Sequence, residues 1–500
     1  MTLEDVRAAL MSDAGNVLVE APAGCGKTHE AAKLACELAA RLPDGREVLL
    51  LAHTNAAVQE FRLRTGGAGG KVRATTIDAF CLDLLRPYAT AIGLPSPLRR
   101  NVGQGAGRTP FAVLAPKADE LLCRCPSVTQ MVAARYPVII LDEHQDATLA
   151  RHAVTRRIAA FSEVRVRVFG DPMQAIYGFG EDEGIPWPIL EEDADVTVSL
   201  NTPQRWKDTP ELGDWILESR SCLQAGLPIP ISSRPSCVRI NIVRGMPCVG
   251  NGKGNPRFIS GPIHDFLNRN DGKAAVLTRT NMAARGHQEA VRRRLILNEG
   301  LDFDRAYRTI EKAAANVGRP RRLALVVLDL ISKTCAGLTK QRSAALNKAF
   351  TKTGIDIGMN RILRPFIESF IPIYKTPDLS GFCRVVQSVI ADKPTWLTIR
   401  MPEAFRLIGR LRPGEDANPL ESLDQAVTLR KLFFHLPYRT VGTVHKAKGH
   451  EYDHVMIGNF SADHFPDTED GHRLAYVALS RARKSIEIIV PERAPSPLLG

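Results

Sequence analysis

The chain has 500 residues, 44% of them hydrophobic and 24% charged, a composition typical of a globular protein with several domains. No run approaches the roughly 20 uninterrupted apolar residues that a membrane helix needs, and the acidic, polar start MTLEDVRAAL is unlike a signal peptide. We therefore expect a cytoplasmic protein without a membrane partner. The ten cysteines include no CxxC pair, so the sequence predicts reduced thiols and no metal cluster.

The net charge is +12, and most of the excess lies in the middle of the chain. Between Gly286 and Leu436 there are 25 Lys and Arg residues against 15 Asp and Glu residues. Clustered cations are the expected footprint of a nucleic-acid binder, because each neutralised phosphate releases condensed counterions. A basic face that serves only solubility is the alternative interpretation.

Short apolar runs rich in β-branched residues predict two sets of buried parallel strands, separated by helical or loop segments. The first set comprises Asn16–Glu20, Val48–Ala52, Val72–Thr75, Val138–Leu141 and Val164–Phe169. The second set comprises Arg239–Val243, Ala274–Thr278, Arg439–Val444, His454–Gly458 and Ile486–Val490. A stretch with helical periodicity, from near Arg285 to near Leu436, interrupts the second set. The sequence therefore predicts an α/β fold with a helical insertion.

A phosphate-binding loop is predicted directly after the first strand. The strand NVLVE is followed by a glycine loop and then by the helical run HEAAKLACELAARL. Glycines allow backbone N–H groups to surround phosphate oxygens, and the helix N-terminus adds its positive end. Lys27 is predicted to reach the β- and γ-phosphates, and the Thr28 hydroxyl to bind Mg²⁺. The predicted nucleotide-binding residues here are Ala21, Pro22, Ala23, Gly24, Cys25, Gly26, Lys27, Thr28 and His29.

An acidic pair follows the apolar run Pro137–Leu141, at the tip of a predicted strand. The role of Asp142 is predicted to be metal binding, and that of Glu143 to be orientation of the attacking water. In-line attack on a γ-phosphoryl group depends mainly on positioning and charge stabilisation, which these groups can supply. The loop and the acidic pair together predict hydrolysis of Mg-ATP.

The segment DEHQD, residues 142–146, resembles the DExQD box of UvrD-like superfamily 1 DNA helicases. Further boxes of that family follow in family order: LAHTNAA (51–57, motif Ia), TIDAF (76–80), GDPMQAIYGF (170–179, motif III), Leu200 with Arg205 (motif IV), VLTRTN (276–281), TVHKAKGHEY (443–452, motif V) and RLAYVALSRA (473–482, motif VI). The resemblance implies two RecA-like P-loop domains with parallel sheets.

The family also implies roles for individual residues. Gln174 would contact the γ-phosphate, Arg205 and Arg481 would approach it as arginine fingers, and Glu451 with Gly449 would contact the nucleotide. Lys27, Asp142 and Glu143 complete the implied catalytic set. The residues implied to contact DNA are His53, Asn55, Thr76, Asp78, Phe80, Tyr177, Phe179, Arg279, Thr443 and His445.

The sequence departs from the family pattern where the base of the nucleotide would bind. Val6 stands where relatives have the glutamine that reads adenine, and Gln204 where they have a stacking tyrosine. The preference for ATP is therefore predicted to be less strict. Both insertions are also shorter than in full-length family helicases, which predicts reduced unwinding power.

The domain organisation follows from these boxes. We expect a first RecA-like domain at 1–80 and 137–205, a short insertion in it at 81–136, a second RecA-like domain at 206–284 and 437–500, and a basic helical insertion at 285–436.

The resemblance implies an ATP-dependent helicase or translocase that moves 3′→5′ on single-stranded or tailed duplex DNA. The alternative is a helicase-like subunit of an anti-phage defence or DNA-repair complex, working with a separate nuclease, because no nuclease box is recognisable in the sequence itself. A scaffold without enzymatic activity is disfavoured, since the full catalytic set is present.

Overall fold

The computed structural model describes residues 2–94, 110–161, 163–177, 184–244, 260–291, 294–297, 303–356, 361–399, 402–411, 423 and 438–500. The chain divides into two compact units. The first comprises Met1–Asn298 together with Leu436–Gly500, and the second comprises Glu299–His435. No described helix is long and apolar enough to cross a membrane.

The strands belong to two six-stranded sheets and one two-stranded pairing. In chain order they are β1 Asn16–Glu20, β2 Val48–Ala52, β3 Val72–Thr76, β4 Val138–Leu141, β5 Arg165–Gly170, β6 Val196–Ser199, β7 Val238–Val243, β8 Ala274–Thr278, β9 Ile296–Leu297, β10 Cys335–Ala336, β11 Thr398–Ile399, β12 Arg439–Thr443, β13 Tyr452–Ile457 and β14 Ala482–Pro491.

The α-helices connect and cover these strands. They are α1 Leu3–Met11, α2 Lys27–Ala39, α3 Asn55–Thr65, α4 Ile77–Leu85, α5 Pro110–Arg124, α6 Pro126–Arg135, α7 Leu149–Ala159, α8 Trp187–Glu192, α9 Pro210–Gln224, α10 Ser260–Arg269, α11 Asn281–Ala290, α12 Phe303–Ala314, α13 Pro320–Thr334, α14 Lys340–Ala349, α15 Arg364–Glu368, α16 Ile371–Lys375, α17 Leu379–Ala391, α18 Pro402–Arg410, α19 Val444–Ala447 and α20 Glu469–Leu479.

The first sheet has the order β3-β2-β4-β5-β1-β6, and all of its strands run parallel. β2 and β4 are buried at every residue, because helices cover both faces of the sheet. Parallel pairing brings the carboxyl ends of β1, β4 and β5 to one edge. Ligands of open parallel sheets bind at that edge.

The second sheet has the order β7-β14-β13-β8-β12-β9 and is likewise parallel. The apolar core on this sheet also contains residues that follow strands β1 and β5 of the first sheet. Ala23, Met173 and Ile176 pack in the same apolar cluster as Trp206 and Tyr476. These observations confirm the predicted α/β class with two parallel sheets.

Several strand boundaries differ from the predicted ones for local reasons. β12 ends at Thr443 rather than Val444, because the Thr443 side chain caps α19. β14 begins at Ala482, well before the predicted Ile486, and β13 begins at Tyr452. β5 runs one residue later than predicted, from Arg165 to Gly170.

The second unit, Glu299–His435, is mostly helical where the structure describes it, from α12 to α18. An aromatic group that includes Phe350, Phe366 and Phe370 lies in its core, with the Phe350 and Phe370 ring centroids 4.6 Å apart. β10 and β11 pair antiparallel within it. This pairing was not predicted, since two-residue strands leave no periodic signal.

Candidate nucleotide cleft and nucleic-acid interface

The glycine loop between β1 and α2 has the backbone of a phosphate-binding loop. Gly24 and Gly26 have φ values of +77° and +86°, which glycine adopts without strain. Gly26 is the N-cap of α2, so the helix begins with amides directed at the loop. A Cβ on Gly24 would lie 2.9 Å from Arg205 Cβ, so only glycine permits this close approach.

The Lys27 side chain is nearly buried at 6% exposed. Its Nζ donates a hydrogen bond to the Ala21 carbonyl at 2.8 Å and lies 3.5 Å from Glu143 Oε1. Ala21 and Cys25 are buried in the loop, and burial raises the pKa of the Cys25 thiol to about 11. His29 is exposed, with Arg64 Nη1 at 3.2 Å from its Nδ1.

Asp142 and Glu143 stand at the carboxyl end of β4, facing the loop. Asp142 is 2% exposed, and its Oδ1 has no hydrogen-bond partner among the described residues. Burial, together with Glu143, raises the pKa of Asp142 above its usual range. Burial opposes ionisation of Glu143 too, yet Lys27 and Lys448 hold the pKa of Glu143 below its usual range. The site therefore holds a buried Asp142 with an unsatisfied oxygen beside the partly exposed Glu143, an arrangement suited to a cation.

A hydrogen-bond network joins this pair to the end of β5. Gln145 Nε2 donates to Glu143 Oε2 at 2.5 Å, and Gln145 Oε1 accepts from the Asp171 N–H at 3.1 Å. Gln174 Nε2 donates to Asp171 Oδ2 at 2.8 Å. Arg220 of α9 binds Asp171 Oδ1 at 2.8 Å, so a buried cation compensates the fully buried Asp171.

Two arginines that are far apart in the sequence, Arg205 and Arg481, lie in the cleft. Arg481, 3% exposed, follows α20, and its Nη2 lies 3.2 Å from Gln174 Oε1. Burial and Arg205 lower the pKa of Arg481 to about 10, so it stays charged at neutral pH. Arg205 donates to the Ser480 carbonyl and, at 2.6 Å, to Glu451 Oε1. Glu451 is thus engaged by Arg205, while Gly449 is exposed with φ +79°.

Sequence reasoning missed two further contacts across the cleft. The Ala23 N–H donates to the Tyr476 hydroxyl at 2.8 Å, and that hydroxyl donates to Asp171 Oδ2 at 3.3 Å. Lys448 Nζ lies 2.6 Å from both carboxylate oxygens of Asp146 and 4.9 Å from the centre of the Tyr177 ring. Tyr476 and Lys448 lie in motifs VI and V, but sequence alone does not reveal their partners.

The predicted DNA contacts of the first domain lie near one another but differ in accessibility. Asn55 is exposed at the start of α3, and His53 is half-buried with its ring centroid 6.0 Å from that of His144. Thr76 caps α4, and Asp78 is held by Arg151 at 3.0 Å. Phe80 differs: it is 3% exposed and packs in the core, so its ring is not available to a strand in this structure.

The predicted contacts of motifs III and V do meet. Tyr177 is 48% exposed, and its hydroxyl donates to the His445 carbonyl at 2.9 Å. Thr443 is buried as the cap of α19. Arg279 Nη1 donates to the His464 carbonyl at 2.8 Å. Phe179 lies outside the described residues.

The glycine loop, the acidic pair and the two arginines meet between two parallel sheets, an arrangement typical of a P-loop nucleotide-binding protein. Residues 5–180 match the AAA domain family, and residues 438–489 match the UvrD-like helicase C-terminal domain. These two matches, with the motifs in family order, make the chain similar to UvrD-like helicases over the matched segments.

Similar curated proteins are DNA helicase II relatives from Rickettsia. The chain is 22% identical over 422 residues to a probable DNA helicase II homolog of Rickettsia felis, covering 74% of this chain and 63% of that protein. It is 24% identical over 426 residues to DNA helicase II of Rickettsia typhi, covering 74% and 62%. The chain thus spans less than two thirds of these relatives' length.

One solved structure, unliganded Pif1 from Bacteroides sp., is 18% identical, with a TM-score of 0.23 and coverage of 44% of this chain and 45% of that one. A TM-score this low cannot support the fold, which rests on the strand order above.

Proposed function

We propose that this chain is an ATP-driven DNA motor, a helicase or translocase that moves 3′→5′ on single-stranded DNA. The observation that carries the proposal is the distance of 3.2 Å between Arg481 Nη2 and Gln174 Oε1. It joins a residue after α20 to the residue implied to sense the γ-phosphate. A single cleft can thereby combine binding, hydrolysis and domain closure.

Within this proposal each group has a distinct task in ATP hydrolysis. The loop amides from Gly24 to Thr28 bind the phosphate oxygens, and Lys27 exchanges its contact with the Ala21 carbonyl for the β- and γ-phosphates. Glu143 orients the attacking water, while Arg481 and Arg205 stabilise charge on the transferring phosphoryl group. Glu451, freed from Arg205, binds the ribose.

The residues present fit a Mg²⁺ ion, which supplies charge neutralisation on the phosphates when bound. The supporting observation is the buried Asp142 Oδ1, which has no hydrogen-bond partner among the described residues. Asp142 and the Thr28 hydroxyl would hold the ion. Carboxylate and hydroxyl oxygens are ligands that Mg²⁺ prefers.

The DNA strand is proposed to cross both domains near Tyr177 and His445. The half-exposed Tyr177 ring offers a stacking surface, worth roughly 1–3 kcal/mol per base. Lys448 lies beneath that ring and pairs with Asp146 of the DEHQD box, which links the strand-binding face to the hydrolytic residues. The core position of Phe80 removes it from the proposed interface.

A second candidate is a helicase-like subunit of a DNA-repair or anti-phage defence complex with a separate nuclease. One observation favours a protein partner: β7 is an edge strand of the second sheet among the described residues, and arginines line the recess beside it. The two candidates share the ATP chemistry and differ only in the partner.

The test is ATP hydrolysis by the purified chain with and without single-stranded DNA, followed by unwinding of duplexes with a 3′ or a 5′ tail. We expect DNA-stimulated hydrolysis and activity on the 3′-tailed duplex. Absence of hydrolysis under both conditions would refute the motor, and a preference for the 5′ tail would refute the polarity.

A further inference from the structure

Strand β7 forms one end of the second sheet. Among the described residues it pairs only with β14, in parallel register from Val238 opposite Ile486 to Val243 opposite Pro491. An edge strand exposes a row of backbone donors and acceptors, which proteins usually protect by charge, proline or a covering segment. The composition of this edge therefore indicates what it can bind.

The register determines which backbone groups face outward. The carbonyls of Cys237 and Val243 accept hydrogen bonds from the N–H groups of Ile486 in β14 and of Glu492 directly after it, each at 3.1 Å, so the odd-numbered residues face that strand. Successive residues of a strand point their N–H and C=O groups to opposite sides. The N–H and C=O groups of Ile240 and Ile242 therefore face the open side. The Ile242 side chain is also 70% exposed.

A polar recess of about 580 Å³ lies beside this edge. It is lined by Ser232, Arg234, Ser236, Arg239, Asn241 and Arg269. Glu487, 3% exposed, lies behind it and binds Asn241 and Arg269, each at 2.6 Å. Arg269 and Arg239 both act on this one buried carboxylate, and with Arg234 also in the lining the recess carries an excess of positive charge.

We propose that this edge docks an extended, acidic peptide segment of a partner protein, which adds to β7 as a further strand. The peptide backbone pairs with Ile240 and Ile242, which is strand addition to a sheet edge. Acidic side chains at alternate positions of the peptide meet the arginines of the recess, and apolar ones lie on the side of Ile242.

Charge and hydrogen-bonding pattern together favour a peptide over nucleic acid. Arginines alone would suit phosphates equally well. The outward carbonyls of Ile240 and Ile242, however, repel phosphate oxygens and require N–H donors in a regular row. A peptide strand supplies both the donors and the acceptors, and its apolar side chains can cover Ile242.

The direct test uses the full chain and a short fluorescein-labelled peptide of alternating Glu and Val, followed by anisotropy. We expect saturable binding with Kd of about 100 µM or tighter. Hydrogen exchange at the Ile240 and Ile242 amides should slow on binding. The matched controls are the same peptide N-methylated at alternate amides, which keeps charge but cannot pair, and a Lys–Val peptide.

Variants of the chain separate backbone pairing from charge. Ile242→Pro removes one outward N–H and leaves the β14 ladder intact, so it should weaken binding about tenfold, whereas Ile242→Thr should not. Arg239→Glu should weaken it about fivefold or more, unlike Arg124→Glu on the exposed face of α5. DNA-stimulated ATP hydrolysis should be unchanged in Arg239→Glu, so this proposal and the proposed motor can fail separately.

Absence of saturable binding, or equal binding of the N-methylated peptide, would overturn the proposal. If single-stranded DNA slowed exchange at the same amides and the peptide did not, the edge would be a nucleic-acid surface instead.

Discussion

Glu143 is one of two non-glycine residues with positive φ among those the structure describes, with φ +52°. Such a conformation costs about 1–3 kcal/mol and persists where surrounding contacts enforce it. Here Gln145 and Lys27 hold its carboxylate toward the phosphate-binding loop. A strained backbone that fixes the position of a carboxylate at the end of a strand fits a role of Glu143 in positioning water.

The first prediction concerns this carboxylate. Glu143→Gln keeps the size of the side chain but removes the charge that orients water, so hydrolysis should fall about 10³-fold or more, with nucleotide binding largely retained. Lys27→Ala should lose hydrolysis and binding together. Turnover assays and nucleotide titrations distinguish the two. Near-normal turnover in Glu143→Gln would refute its assignment.

His287 gives a second prediction, on stability. It is 6% exposed, both ring nitrogens lack partners among the described residues, and burial lowers its pKa to about 3. The unfolded chain takes up this proton below about pH 6.5, whereas the folded chain does not, so the free energy of unfolding falls with pH from about 6.5 toward 3.

His287→Leu should therefore reduce the loss of stability between pH 7 and pH 5 by about 1–2 kcal/mol. Urea unfolding at both pH values measures this difference. His264 of α10 is only half-buried and contacts Arg294, so the same substitution there provides the control. An unchanged pH dependence in His287→Leu would contradict the buried, neutral state.

At the scale of elements, α20 contacts the phosphate-binding loop through one hydroxyl group. Tyr476→Phe would leave the Ala23 N–H and Asp171 without that partner while keeping the ring in the core. We expect the DNA-stimulated kcat to fall about tenfold, with much less change in KM for ATP. We expect this split because the Tyr476 hydroxyl would stabilise the closed cleft, which affects kcat, and would not itself bind the nucleotide, which would affect KM.

The control for this variant is Tyr136→Phe, which removes a hydroxyl that accepts from Arg73 in the first domain. Both changes cost stability, but only Tyr476→Phe should alter kcat. Equal kinetic effects in the two variants would mean that Tyr476 acts only through stability.

Sequence alone predicted the elements well where local pattern decides them. β1, β2, β4 and β8 have the predicted boundaries, because buried parallel strands are continuous apolar runs bounded by motifs. Contacts between residues that are far apart in the sequence leave no local pattern from which they could be predicted. Tyr476 and Ala23 are 453 positions apart, and Arg220 lies on a helix outside every family box.

At Phe80, by contrast, the local spacing of apolar residues and the family resemblance point to different roles. It lies three positions after Ile77 on α4, and both residues are buried. This spacing is typical of the core-facing side of a helix. The family resemblance implies a DNA contact for Phe80, whereas the structure buries its side chain in the same apolar cluster as Ile77.

At the scale of the whole molecule, the positive charge of the chain should govern its affinity for DNA. We expect log affinity to fall with log salt concentration by about 0.7 for each phosphate contacted on a single strand. Tyr177→Ala should weaken binding with little change in that slope, since stacking releases no counterions. Affinity that is independent of salt would favour the solvated-face interpretation of the basic segment.

We expect ATP hydrolysis to require groups from both parallel-sheet regions in one cleft. Lys27, Asp142 and Glu143 belong to the first sheet, whereas Arg481 follows α20 of the second. The most direct test is the rate of ATP hydrolysis by Arg481→Ala with saturating single-stranded DNA. We predict a fall of about 10³-fold or more, with ATP affinity within several-fold of the unmodified chain. Near-normal DNA-stimulated hydrolysis in this variant would contradict the two-domain cleft mechanism.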